Sequence, residues 1–161
     1  MKFITSTLLC LTTVISFAQD QITSFMSGIS SGFEPSRFVE YHDQLLFVSS
    51  DPHHGSELWI SDATAAGTRL VKDINLGNGS SYIDRFVEFN DHIYFTADDG
   101  LHSLQLWVTD GTTAGTKSVT SEVAGIQGPI ITNGDFMYFL RKISSSKLEV
   151  WRSDGSAAGT T

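Results

Sequence analysis

A twelve-residue segment is written three times in this chain, at Glu57–Thr68, Gln105–Thr116 and Glu149–Thr160. Its tryptophans, Trp59, Trp107 and Trp151, lie 48 and then 44 residues apart, and the three Ala-Gly-Thr endings keep the same spacings. Self-similarity at this period means that one supersecondary unit recurs and stacks on copies of itself. A repeated residue is therefore structural first, because each copy solves the same packing problem. Chemistry has to be sought where the copies differ.

The likeness extends upstream. Arg37–Phe47 aligns with Arg85–Phe95 at the same offset of 48, and Ile130–Phe139 is a weaker third version. Each copy reads as four short β-type runs. The first is Phe-Val-Glu-Tyr or Phe-Val-Glu-Phe, followed by a turn at His42-Asp43, Asn90-Asp91 or Asn133-Gly134-Asp135, residue types that suit tight hairpins. The second covers Leu45 to Ser49, Ile93 to Ala97 and Phe136 to Leu140. The third centres on each tryptophan, and the fourth starts after the Ala-Gly-Thr ending, at Thr68 and Thr116. Four strands at this spacing, with no helix between them, indicate an all-β fold of antiparallel units. One four-stranded sheet cannot bury both faces, whereas stacked copies can. A period in the forties with four strands per copy predicts β-propeller blades, here an incomplete propeller.

Each motif position then has an expected task. Trp59, Trp107 and Trp151 should lie on the blade faces against a neighbouring blade, as the largest apolar area in the repeat. Asp62, Asp110 and Asp154 should accept hydrogen bonds from turn amides. Gly111 and Gly155 permit positive φ; Ala63 takes their place in the first copy, so that turn should be strained or differently shaped. Gly67, Gly115 and Gly159 are expected to supply positive φ at the hairpin exit.

These residues resemble the Glu-Leu-Trp-x-x-Asp-Gly-Thr-x-x-Gly-Thr repeat family of exported, Bacteroidetes-type proteins. The departures are Ala63 for Gly, Gln105 for Glu, Val150 for Leu and Ser156 for Thr. What the resemblance implies is a propeller-like array at the cell surface or in the medium, often exported by type IX secretion. It implies no catalytic residue and no cofactor.

The N-terminus supports export. Lys2, the mostly apolar run from Phe3 to Phe17 and the small residues Ser16 and Ala18 have the layout of a signal peptide over residues 1–18. Leu9 precedes Cys10 where a lipobox needs a small residue, so lipidation is rejected. Cleavage after Ala18 leaves a chain without cysteine, and loss of Lys2 makes the formal charge of −8 one unit more negative. No basic cluster exists for nucleic acid, and no later segment is apolar enough to cross a membrane. Residues 19–32 read as an N-terminal strand and linker. Three propeller-type repeats follow over 33–161, at about 33–80, 81–127 and 128–161. Gln21–Met26 falls on the fourth strand, Arg69–Ile74, at the common offset. Two explanations compete for a chain in this register. It is a fragment of a larger array, or the N-terminal strand completes the third unit, within an oligomer if the chain is complete.

Among the variable residues, Asp51-Pro52-His53-His54 offers an acid and two histidines, but no third metal ligand follows from spacing. Asp98-Asp99-Gly100 lacks the alternating oxygen pattern of a calcium loop. The reading is therefore no metal. Arg37 and Arg85 look like strand residues pairing with Glu40 and Glu88. No serine stands in a nucleophile-elbow sequence. Tyr82 and Leu101 are the sizeable non-repeated candidates for contacting a partner. The resulting expectation is a non-enzymatic, exported interaction scaffold for a protein or glycan ligand. The alternatives are part of a glycan-acting propeller hydrolase and a calcium-stabilised lectin-like module.

Overall fold

The computed structural model describes residues 35–121 and 125–161. Among them the fold is all-β, with eleven strands in three antiparallel sheets and no helix. The signal-peptide reading at 1–18 and the strand reading at Gln21–Met26 lie outside the described residues. The first sheet is a meander of β1 (Ser36–Tyr41), β2 (Gln44–Asp51), β3 (Gly55–Ser61) and β4 (Arg69–Lys72). The second repeats it with β5 (Asp84–Phe89), β6 (His92–Ala97), β7 (Gln105–Thr109) and β8 (Lys117–Ser118). The third has β9 (Ile126–Thr132), β10 (Met137–Ser144) and β11 (Lys147–Ser153). Beyond β11, Thr161 exchanges both backbone hydrogen bonds with Arg152, at 2.8 and 2.9 Å, where a fourth strand would pair.

The registers superpose copy on copy. Phe47 lies opposite Trp59, Phe95 opposite Trp107 and Phe139 opposite Trp151. With a side-chain period of two, each Phe-Trp pair fixes which residues share its face. On the second sheet Ile93, Phe95, Ala97 and Trp107 pack with Leu46, Val48, Leu58 and Ile60 of the first. The opposite face, with Tyr94, Leu106 and Val108, packs with Met137, Phe139 and the half-buried Trp151 of the third. The second sheet is thus buried on both faces. Each of the last two sheets turns its Phe-Trp face back towards the sheet before it. The far face of the third sheet carries Ile131, Leu148 and Val150, and Val150 is 73% exposed.

Hairpin chemistry follows the residues. Asn90 and Asp91 both take positive φ, as a tight two-residue hairpin loop requires. The first strands of the first two sheets bulge at equivalent places, between Ser36 and Val39 and between Asp84 and Val87. Arg37 (φ 52°) and Arg85 (φ 57°) stand in those bulges with left-handed backbones.

Candidate functional site

The motif turn closes on itself. In the second copy the Asp110 carboxylate accepts the Thr112 amide at 2.9 Å and the Thr112 hydroxyl at 2.6 Å. The Thr112 hydroxyl oxygen accepts the Gly115 amide at 2.9 Å, and the Thr116 hydroxyl donates to the Thr112 carbonyl at 2.6 Å. The Gly111 amide donates to Thr109 Oγ1 at 3.0 Å. The same set recurs around Asp62 and Asp154, with Ser156 replacing threonine. Hydrogen bonds from Thr64, Thr112 and Ser156, side chain first and then amide, hold the three carboxyls below the usual carboxylate range.

One expectation for this turn is corrected. Gly67, Gly115 and Gly159 do not adopt positive φ. They are glycines because a Cβ would lie 2.0–2.1 Å from the Oδ1 of Asp62, Asp110 or Asp154, inside the turn's own hydrogen-bonded ring. Of the two outcomes expected at Ala63 the turn is strained, not differently shaped: it keeps the hydrogen bonds of the others with a left-handed φ of 67°. Gly111 and Gly155 serve a second purpose besides φ. Their turns lean on the preceding sheet, where a Cβ would meet Ile60 at 3.0 Å or the Tyr94 hydroxyl at 2.2 Å. Ala63 is exposed and meets no such wall among the described residues.

The tryptophans differ in burial. Trp107 is 6% exposed between the first two sheets, with Lys72 Nζ 6.0 Å from its ring centre. Trp151 is half-buried under the Arg141 guanidinium, 4.1 Å from its ring centre. Trp59 is half-buried beside Phe47, on the face turned away from the second sheet.

The acid–histidine loop is a turn clasp. Asp51 Oδ1 accepts the His53 and His54 amides at 2.7 and 2.9 Å, while its Oδ2 lies 2.8 Å from His54 Nδ1. Asp99 holds the Leu101 and His102 amides and the His102 ring in the same way. Burial works to raise the Asp51 carboxyl, but the hydrogen bonds from the His54 ring and the two amides outweigh it and leave it lowered. The bond to Asp51 raises His54. His53 joins the clasp through its amide, not its ring, and no group of three potential metal ligands forms among the described residues. Asp98 accepts the Gly100 amide at 2.8 Å.

Sequence reasoning missed two groups. Glu57, fully buried, accepts the Ile74 amide at 2.9 Å and the Asn75 amide at 3.3 Å, and so fastens the connection from the first sheet to the second. Burial pushes its carboxyl up to about 7 against those amide hydrogen bonds. Gln105, its counterpart, accepts from Thr120 Oγ1 at 2.8 Å and fastens the next connection. The interchange of Glu and Gln at one motif position was the available signal. The second group is Arg37 with Arg85. They do not pair with Glu40 and Glu88, because the bulge re-aims them. Arg37 reaches Asp84 of the next sheet at 3.0 Å, and Arg85 donates to Thr96 Oγ1 at 3.2 Å.

Both arginines line a groove of about 480 Å³ between the first two sheets, with Ser56, Ser80, Tyr82 and Asp84. Tyr82 is 70% exposed and also left-handed, at φ 49°. Asp84 Oδ1 takes both the Arg37 guanidinium and the Arg85 backbone amide, while the Arg85 guanidinium turns to Thr96. Two further grooves carry net negative linings. One contains Glu40, Glu88 and Asp91, and the other contains Asp73 and Asp99 against Lys72. Leu101 is 86% exposed at the edge of the latter. No protein-family model matches the chain, and comparison with curated proteins gives no match.

Proposed function

We propose that this chain is an exported repeat protein whose three sheets are propeller-type blades, and that it is a non-enzymatic interaction scaffold. The observation that carries the reading is the closure of the repeated polar groups on themselves. Every Asp of the three motif turns is engaged in its own turn, and so is every Ser or Thr except Thr113, whose hydroxyl donates to the Val71 carbonyl of the preceding sheet, so the repeated residues hold structure and leave the variable loops to meet partners. The stacked sheets, each with its Phe-Trp face turned the same way, support the blade reading. The open apolar face of the third sheet supports an array that continues with a further sheet. The family resemblance of the motif and the signal-like N-terminus support export to the surface or medium.

The test is to display the chain from residue 19 onward to defined arrays of glycans and purified surface proteins, and to offer it chromogenic glycosides in parallel. Saturable binding without turnover is the expected result. Turnover of any glycoside that survives repurification would overturn the scaffold reading in favour of a hydrolase. Loss of fold on chelation would overturn it in favour of a calcium-dependent lectin.

A further inference from the structure

We infer that the groove at Tyr82 and Arg85 binds a carboxylate-bearing sugar, Arg85 receiving the carboxylate and Tyr82 stacking on the ring. The inference rests on the scaffold reading and names its ligand class.

Backbone, charge and side-chain chemistry converge on this one place. Arg37, Tyr82 and Arg85 all adopt left-handed φ, at 52°, 49° and 57°, a conformation unfavourable for any residue with a Cβ. Glycine would relieve each position. The Tyr82 ring is not required by packing, since it stands 70% exposed. Arg37 and Arg85 share this backbone because each stands in the repeated bulge, whereas Tyr82 lies outside both bulges with an exposed ring, and its strain marks a position where the side chain is wanted for contact.

The charge of the groove selects the ligand. Its charged groups are Arg37, Asp84 and Arg85, and Asp84 is already in an ion pair with Arg37. Arg85 has no carboxylate within ion-pair distance among the described residues, and its one side-chain hydrogen bond there goes to the neutral Thr96 hydroxyl. A guanidinium fork with free donors matches a carboxylate bidentately. The groove is thus a positive point on a chain of formal charge −8. Over a Debye length of about 8 Å the distant acidic residues are screened, so the local cation governs.

The remaining lining favours a sugar over an acidic peptide. An exposed tyrosine offers a flat apolar face with a polar rim, and Ser56 and Ser80 add hydroxyls suited to sugar hydroxyls. About 480 Å³ accommodates one or two pyranose rings.

The experiment is calorimetric titration with tri-galacturonate, its fully methyl-esterified form and a hexaglutamate peptide, with reducing ends assayed throughout. Wild type is expected to bind the free acid at least tenfold more tightly than the ester or the peptide. Arg85→Gly removes the guanidinium and relaxes the backbone, so it should weaken binding tenfold or more while the melting temperature holds or rises. Arg85→Lys keeps the charge without the fork and should fall between the two; Tyr82→Ala should weaken binding severalfold. Equal binding of acid and ester, unchanged affinity in Arg85→Gly and Arg85→Lys, preference for the peptide, or no binding of the trimer would each overturn the inference. New reducing ends would instead overturn the scaffold reading, and so the two failures are distinguishable.

Discussion

Ala63 and Gly111 occupy the same place in two copies of one turn, and the structure assigns them opposite responses to substitution. Ala63 is exposed with a left-handed φ of 67°. Ala63→Gly should relieve about 1–2 kcal/mol of steric cost and lose part of it to the unfolded chain. A net gain of roughly 0.5 kcal/mol is expected in denaturant melts. Gly111→Ala adds the same strain and drives a methyl towards Ile60 at 3.0 Å, for an expected loss of about 1–3 kcal/mol. Gly115 has a third kind of constraint. Its φ is ordinary, so Gly115→Ala should be harmless if backbone freedom were all that mattered. The contact at 2.0 Å with Asp110 Oδ1 predicts instead a broken turn and a loss of at least about 2 kcal/mol. An unchanged midpoint for Gly115→Ala would remove the carboxylate-collision account.

At the scale of the strand, one motif position behaves differently in each copy according to what covers it. Leu58 and Leu106 are fully buried, while Val150 is 73% exposed. Leu106→Ala should cost about 2–5 kcal/mol, but Val150→Ala within about 0.5 kcal/mol. Trp107→Ala should cost about 3–5 kcal/mol, as a large-to-small change between two sheets. A melting temperature unmoved by that substitution would refute the packing account. This contrast also marks what the residues disclosed in advance. Strand order and register were legible because a Phe and a Trp twelve residues apart, and Asn-Asp or Asp-Gly turns, recur at fixed offsets. Burial was not, since it depends on whether another sheet lies against that face. The destinations of Arg37 and Arg85 were illegible for a different reason: a bulge adds a residue and re-aims the chain, and hydrophobic alternation does not register it. Tyr82 did stand out, as a large residue that no other copy repeats. Its left-handed backbone was beyond reach, because nothing in the string Ser81-Tyr82-Ile83 calls for it. Glu57 escaped notice because its partners, Ile74 and Asn75, lie seventeen and eighteen residues downstream.

The whole molecule should report Glu57 in its pH dependence. A carboxyl raised from 4.5 to about 7 by burial favours folding when protonated. Its contribution is therefore fully present below pH 4.5 and is lost as pH rises through about 7. Thermal unfolding should show stability declining across that window, by on the order of 2 kcal/mol. Glu57→Gln, the residue already used at position 105, should flatten it. The lowered carboxyls of Asp62, Asp110 and Asp154 act in the opposite sense, with their support present above about pH 4 and lost on further acidification. Together these place the stability maximum in mildly acid solution.

The backward-leaning turns carry one more consequence. Gly111 rests on Ile60, Gly155 rests against Tyr94, and the Phe-Trp faces of the second and third sheets look towards the sheet before them. A chain emerging N-terminus first from a ribosome thus finds the landing surface for its second and third sheets already built. Such a molecule is suited to vectorial assembly, each unit capturing the next as it arrives, without waiting for the last residue to be delivered.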